Sequence, residues 1–194
     1  MFELNATDAL LIVDVQNDFA HPDGSLYVPD GETIISLINE WIDDFYYASL
    51  PIHFTSDRHP DIHISFDTWP RHCVQGTWGA RIHEDIKTFG KVGMVFKGQD
   101  EHFDQYSAFH PRLVAEDDEV IFTGLERALR NAGSKRVFVC GLATDYCVKA
   151  TVLDALERGF EVIVLKDVIK GVGLEYDDVA VAIGEMVLAG ARFI

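Results

Sequence analysis

Apolar runs of strand length alternate along this chain with segments whose apolar positions recur at helical spacing. A parallel α/β sheet leaves that pattern in a sequence. Strands are expected at Ala9–Asp14, Ile52–Ser56, Val92–Phe96, Arg136–Cys140 and Glu161–Leu165, with a short last one at Arg192–Ile194. Between them, Thr33 to Phe45 carries Ile34, Leu37, Ile38, Trp41, Ile42 and Phe45 on one stripe, as a core-facing helix requires. Thr144 to Arg158 predicts a second helix with Gly159 as its cap, and Asp177 to Ala189 a third ended by Gly190. The first and fourth strands are nearly unbroken in Val, Ile, Leu and Phe, the mark of strands covered on both faces. Two stretches, 57–84 and 98–118, have no clear period, and long irregular connections in so compact a chain are often functional.

With 194 residues, 48% of them hydrophobic, the chain suffices for a single domain over residues 1–194 with a sizeable core. No apolar stretch approaches a membrane span, and no basic N-terminal region leads into an apolar segment, so a cytoplasmic protein is expected. Sixteen basic against 32 acidic side chains give a formal charge of −16. Such a surface repels phosphate backbones and anionic lipid, which sets nucleic acid and membranes aside as partners. Cys73, Cys140 and Cys147 are widely spaced and form no CxxC pair, arguing against both a disulfide framework and a thiolate zinc site.

The polar residues change the picture. Asp14 closes the first strand, Asp57 follows the second, Lys97 the third, and Cys147 lies in Gly141-Leu-Ala-Thr-Asp-Tyr-Cys-Val148 after the fourth. Open α/β sheets bind ligands along that carboxyl edge. Alone, Cys147 reads as a small core residue, Asp14 as a strand end or cap, and Lys97 as a surface lysine. Together they read as a nucleophile at the first turn of a helix, where free N–H groups favour a thiolate, with a carboxylate to take its proton and an ammonium beside both. Asp57-Arg-His59, with His72 on a loop that can fold back, offers a mixed oxygen and nitrogen set suited to a divalent ion such as Zn, Fe or Mn. His63 and Ser65 lie near enough to add a ligand. His53, His83, His102 and His110 have no such context and read as surface or core residues.

Six blocks then carry a resemblance over nearly the whole chain: Leu11-Ile-Val-Asp-Val-Gln-Asn-Asp-Phe19, Asp57-Arg-His59, Trp69-Pro-Arg-His-Cys-Val-Gln-Gly76, Phe96-Lys-Gly98, Asp104-Gln-Tyr-Ser-Ala-Phe109 and the Cys147 motif. In these the chain resembles the nicotinamidases among the isochorismatase-like cysteine hydrolases. The resemblance implies a three-layer αβα fold around a central, mainly parallel six-stranded sheet. It implies Asp14, Lys97 and Cys147 as catalytic triad, and Asp57, His59 and His72 as ligands of one divalent metal, zinc before Fe or Mn. Ser65 is the candidate for a further ligand. Phe19 and Trp69 match the aromatics that sandwich a pyridine ring, Tyr106 another pocket aromatic, and Leu142, also expected to bind substrate, precedes an expected non-proline cis peptide to Ala143. The N–H groups of Ala143 and Cys147 would form the oxyanion hole.

The expected reaction is hydrolysis of nicotinamide to nicotinate and ammonia through a Cys147 thioester, with the ring nitrogen on the metal and Asp14 moving the protons. A homo-oligomer is compatible with this reading. The rivals are a relative acting on another small amide, carbamoyl group or vinyl ether, and a non-catalytic ligand or metal sensor on the same fold. The metal set argues against the first group, and a sensor has no use for the nucleophile. A thiol-redox role lacks a resolving cysteine in CxxC spacing.

Overall fold

The computed structural model describes residues 3–88, 92–114 and 119–194. In chain order the strands are β1 (Asp8–Val13), β2 (Ile52–Asp57), β3 (Gly93–Lys97), β4 (Pro111–Val114), β5 (Glu119–Phe122), β6 (Arg136–Leu142), β7 (Glu161–Lys170) and β8 (Arg192–Phe193). The helices are α1 (Asn17–Ala20), α2 (Ile35–Tyr47), α3 (Leu125–Asn131), α4 (Lys149–Glu157) and α5 (Asp178–Leu188). Six strands form one all-parallel sheet in the order β3-β2-β1-β6-β7-β8, while β4 and β5 pair as a separate antiparallel ribbon. No helix among the described residues is long and apolar enough to cross a membrane.

Strand alternation divides the core in two. Leu10 and Ile12 of β1 face one side and pack with Ile38, Ile42 and Phe45 of α2. Ala9, Leu11 and Val13 face the other and pack with Leu125 and Leu129 of α3, Val152 and Ala155 of α4, and Met186 of α5. That two-sided burial is why β1 reads as an unbroken apolar run, and it makes three layers.

The chain steps from β1 to β2 and β3 on one side, then returns to β6 and continues to β7 and β8 on the other. The strand order therefore reverses between β1 and β6, and a crevice opens at their carboxyl ends. Gly141 lets the two strands close there. It sits at φ +111°, and a Cβ on it would stand 2.1 Å from the Val13 carbonyl oxygen.

Several elements differ from the sequence reading. The helix expected from Thr33 begins as a 3-10 turn (Gly31–Ile34), and Leu37 stays 37% exposed at the edge of its stripe. The helix expected from Thr144 begins as a π-helical turn, Thr144–Val148, before α4. Stretch 98–118 is not wholly irregular, since β4 falls within it, and α3 was not anticipated.

Candidate active site

The carboxyl ends of β1, β2, β3 and β6 bring Asp14, Asp57, Lys97 and Cys147 together. The Lys97 ammonium, fully buried, lies 2.9 Å from Asp14 Oδ2, 2.7 Å from Asp57 Oδ1 and 3.4 Å from Cys147 Sγ, and donates to the Gln105 carbonyl at 3.2 Å. Asp14 sits just past β1 at φ +48°. Thr55 of β2 fixes it from two directions, accepting from its backbone N–H at 3.0 Å and donating to Oδ1 at 2.6 Å. Those bonds leave Oδ2 aimed at Lys97 and the thiol. Gln16 clamps Asp57 through its backbone. Its Oε1 accepts the Asp57 N–H at 2.7 Å, and its Nε2 donates to the Asp57 carbonyl at 2.8 Å.

The electrostatics show why the thiol needs a carboxylate to take its proton. Burial pushes the Cys147 thiol well above its ordinary value; Lys97 pulls it back, and the Asp14 and Asp57 carboxylates push it up again. Burial likewise raises Asp14 against the pull of Lys97. Burial alone would lower Lys97, but Asp14 and Asp57 outweigh it and hold the ammonium charged. Burial thus pushes both Asp14 and Cys147 toward their neutral forms, and Lys97 opposes it at each.

Asp57, His59 and His72 converge with ligand atoms within 4.8 Å of one another. His59 Nδ1 bonds the Gly98 carbonyl at 2.8 Å and His72 Nδ1 the Pro70 carbonyl at 2.7 Å. As donors to carbonyls, both Nδ1 atoms carry the proton, so the two Nε2 lone pairs face each other across 3.3 Å, with Asp57 Oδ2 3.8 Å from that of His59. Facing lone pairs repel unless a cation lies between them. Backbone-anchored imidazoles plus a carboxylate thus fit a divalent ion. Burial, then His72 and His63, lower His59 to about 3, which keeps it a neutral ligand. His63 stacks on His59 with ring centroids 4.1 Å apart, but its Nδ1 accepts the Ser65 N–H at 3.1 Å. Its Nε2 then carries the proton and offers no lone pair.

Gly98 makes room for this set. It has φ +65°, and a Cβ there would stand 2.6 Å from His59 Cε1. Gly98→Ala is therefore expected to lower metal affinity by about 10- to 100-fold, as loss of a ligand's supporting geometry does. Metal content after equilibrium dialysis checks this.

A cavity, its mouth open to solvent, lies over these groups. Phe19, Ser65, Trp69, His72, Tyr106, Ala143 and Cys147 all line it, as does Asp57. Trp69 Nε1 donates to the Tyr106 hydroxyl at 3.3 Å. Leu142 is not in the lining. Its side chain is fully buried in the core cluster beside α2, because β6 continues through it and only the next residue turns toward the cavity. The Leu142–Ala143 peptide is cis. Sequence reasoning missed Leu26, Val28, Asp104, Tyr146 and Val172 in the lining, and the two clamps, Thr55 and Gln16. Thr55 carried no distinct signal, since its strand also holds His53, Ser56 and Asp57.

Comparison with known proteins bears on the same residues. The isochorismatase domain model matches residues 8–194. The chain is 36% identical over 202 residues to the nicotinamidase of Escherichia coli (strain K12), covering 94% of this chain and 92% of that protein. It is similar to the pyrazinamidase of Pyrococcus horikoshii in complex with zinc, with TM-score 0.85 and 38% identity over 97% of this chain and 98% of that one. It is also similar to PnC1 of L. infantum in complex with nicotinate, with TM-score 0.86 and 37% identity over 97% and 92% of the two chains. A match that begins in β1 and runs to the last residue takes in every strand end that carries the site, and by it this chain belongs to the isochorismatase family.

Proposed function

We propose that this protein is a nicotinamidase, hydrolysing nicotinamide to nicotinate and ammonia through a thioester on Cys147. The observation that carries the reading is the conjunction of the Asp14–Lys97–Cys147 cluster and the Asp57–His59–His72 donor set within one aromatic-walled cavity. Relatives named for nicotinamidase and pyrazinamidase activity, and solved structures holding zinc or nicotinate, support it.

Phe19 and Trp69 hold the ring and orient the carboxamide over Cys147, the positioning that removes much of the entropic barrier. A divalent cation held by Asp57, His59 and His72, zinc in our assignment, would supply a Lewis-acid anchor for the ring nitrogen. Asp14 Oδ2 takes the thiol proton as sulfur bonds to the amide carbon. The N–H groups of Ala143 and Cys147 hold the oxyanion, a donor pair each worth about 3 kcal/mol in such sites. Asp14 passes its proton to the departing nitrogen, ammonia leaves, and the acyl group remains on sulfur. Asp14 then deprotonates the water that releases nicotinate and restores the thiol. Lys97 stays charged throughout and holds both carboxylates in place.

Ammonia release from nicotinamide by the purified protein, before and after chelation and after metal is restored, tests the reading. Release that collapses on chelation and returns with zinc is the expected result. Release indifferent to chelation removes the anchoring role. No release from nicotinamide, with turnover of another small amide, overturns the substrate.

A further inference from the structure

Asp104 is a carboxylate in the cavity wall to which the proposed chemistry gives no part. It lies on the loop that returns over Lys97 after β3. Its neighbour Gln105 pins that loop, giving its carbonyl to Lys97 Nζ at 3.2 Å and its Oε1 to the Gly98 N–H at 2.9 Å. Asp104 Oδ1 accepts the Gln105 N–H at 3.0 Å, so the side chain is fixed by backbone. The carboxylate stands beside the Tyr106 hydroxyl; burial first, and then this neighbouring charge, push the phenol up to about 12. Tyr106 in turn accepts the Trp69 indole N–H. Among the described residues no ion pair compensates Asp104.

The reaction changes the charge of what the cavity holds. A neutral amide and water become a carboxylate anion and ammonium. Two negative charges that meet in a cavity partly closed off from water repel more than they do in bulk solvent. An anion fixed in the wall therefore leaves the substrate untouched and weakens the product. We propose that Asp104 is a specificity-determining residue that makes the site discriminate between the neutral amide and the anionic acid, favouring product release. This inference rests on the nicotinamidase reading above.

The test compares both ligands on one protein. Full-length Cys147→Ala protein loaded with zinc holds nicotinamide without turnover, so calorimetry gives a Kd for nicotinamide and for nicotinate. In that background Asp104→Asn is expected to tighten nicotinate about tenfold, equivalent to about 1.4 kcal/mol, and to change nicotinamide by less than about twofold. Asp104→Glu restores the parent ratio of the two constants. Tyr106→Phe keeps the charge and leaves that ratio unchanged even where both affinities fall. With Cys147 present, Asp104→Asn lowers the inhibition constant of nicotinate by the same factor at constant KM. Unchanged nicotinate affinity, or an equal change for both ligands, overturns the inference while leaving the reaction intact. Absence of ammonia release by the parent enzyme identifies failure of the nicotinamidase reading itself, and the inference falls with it.

Discussion

Cys147→Ala abolishes ammonia release from nicotinamide, with a loss of about 10⁴-fold or more, since removing the nucleophile of such a cluster leaves only binding and oxyanion contributions. The fold is expected to persist. Cys147 is a small residue in the core cluster between β6 and α4, and alanine deletes only the sulfur. Metal content also persists, because Asp57, His59 and His72 are held by Gln16, Gly98 and Pro70 rather than by the thiol. Ammonia assays, dialysis and thermal melts on the same preparation separate the three. Activity surviving near the parent level sinks the thioester scheme.

Lys97→Met combines the same loss of activity with a loss of stability. Its ammonium is the cation between two buried carboxylates, Asp14 at 2.9 Å and Asp57 at 2.7 Å. Methionine fills much of the volume and supplies no charge, so the carboxylates face each other without compensation. Breaking a buried ion network from one side costs about 3–5 kcal/mol. In a chain of this size that lowers Tm by roughly 6–20 °C. The carboxylates can relieve the repulsion by taking up a proton, which removes the base from the proposed reaction. Thermal melting together with the ammonia assay checks both effects. An unchanged Tm contradicts the central place given to Lys97.

The sheet was legible because its strands are covered on both faces and so read as apolar runs, β1 and β6 most plainly. The site was legible to the extent that its residues sit at strand ends, where position in sequence fixes position in space. Asp14, Asp57 and Lys97 follow that rule, and Cys147 sits in the helical turn that leaves β6. The residues that hold these groups in place do not. Gln16 reaches Asp57 across 41 positions, and nothing in its local pattern marks it as a clamp. The short α3 spans seven residues, too few turns to establish a period. Leu142 was misjudged because adjacent residues at a strand end part company: Leu142 completes the core while Ala143 enters the cavity. The state of the thiol was out of reach for another reason. Its chemistry depends on how completely the sulfur is enclosed, which is a property of the packed site rather than of the motif.

The most direct test of the account is the mass of the intact protein after rapid quenching during turnover of nicotinamide. A population heavier by one nicotinoyl group is expected, with peptide mapping placing the adduct on Cys147 and hydroxylamine removing it. Turnover that proceeds with full chemical competence and never acylates Cys147, in the parent protein or in a variant slowed at Asp14, would contradict it.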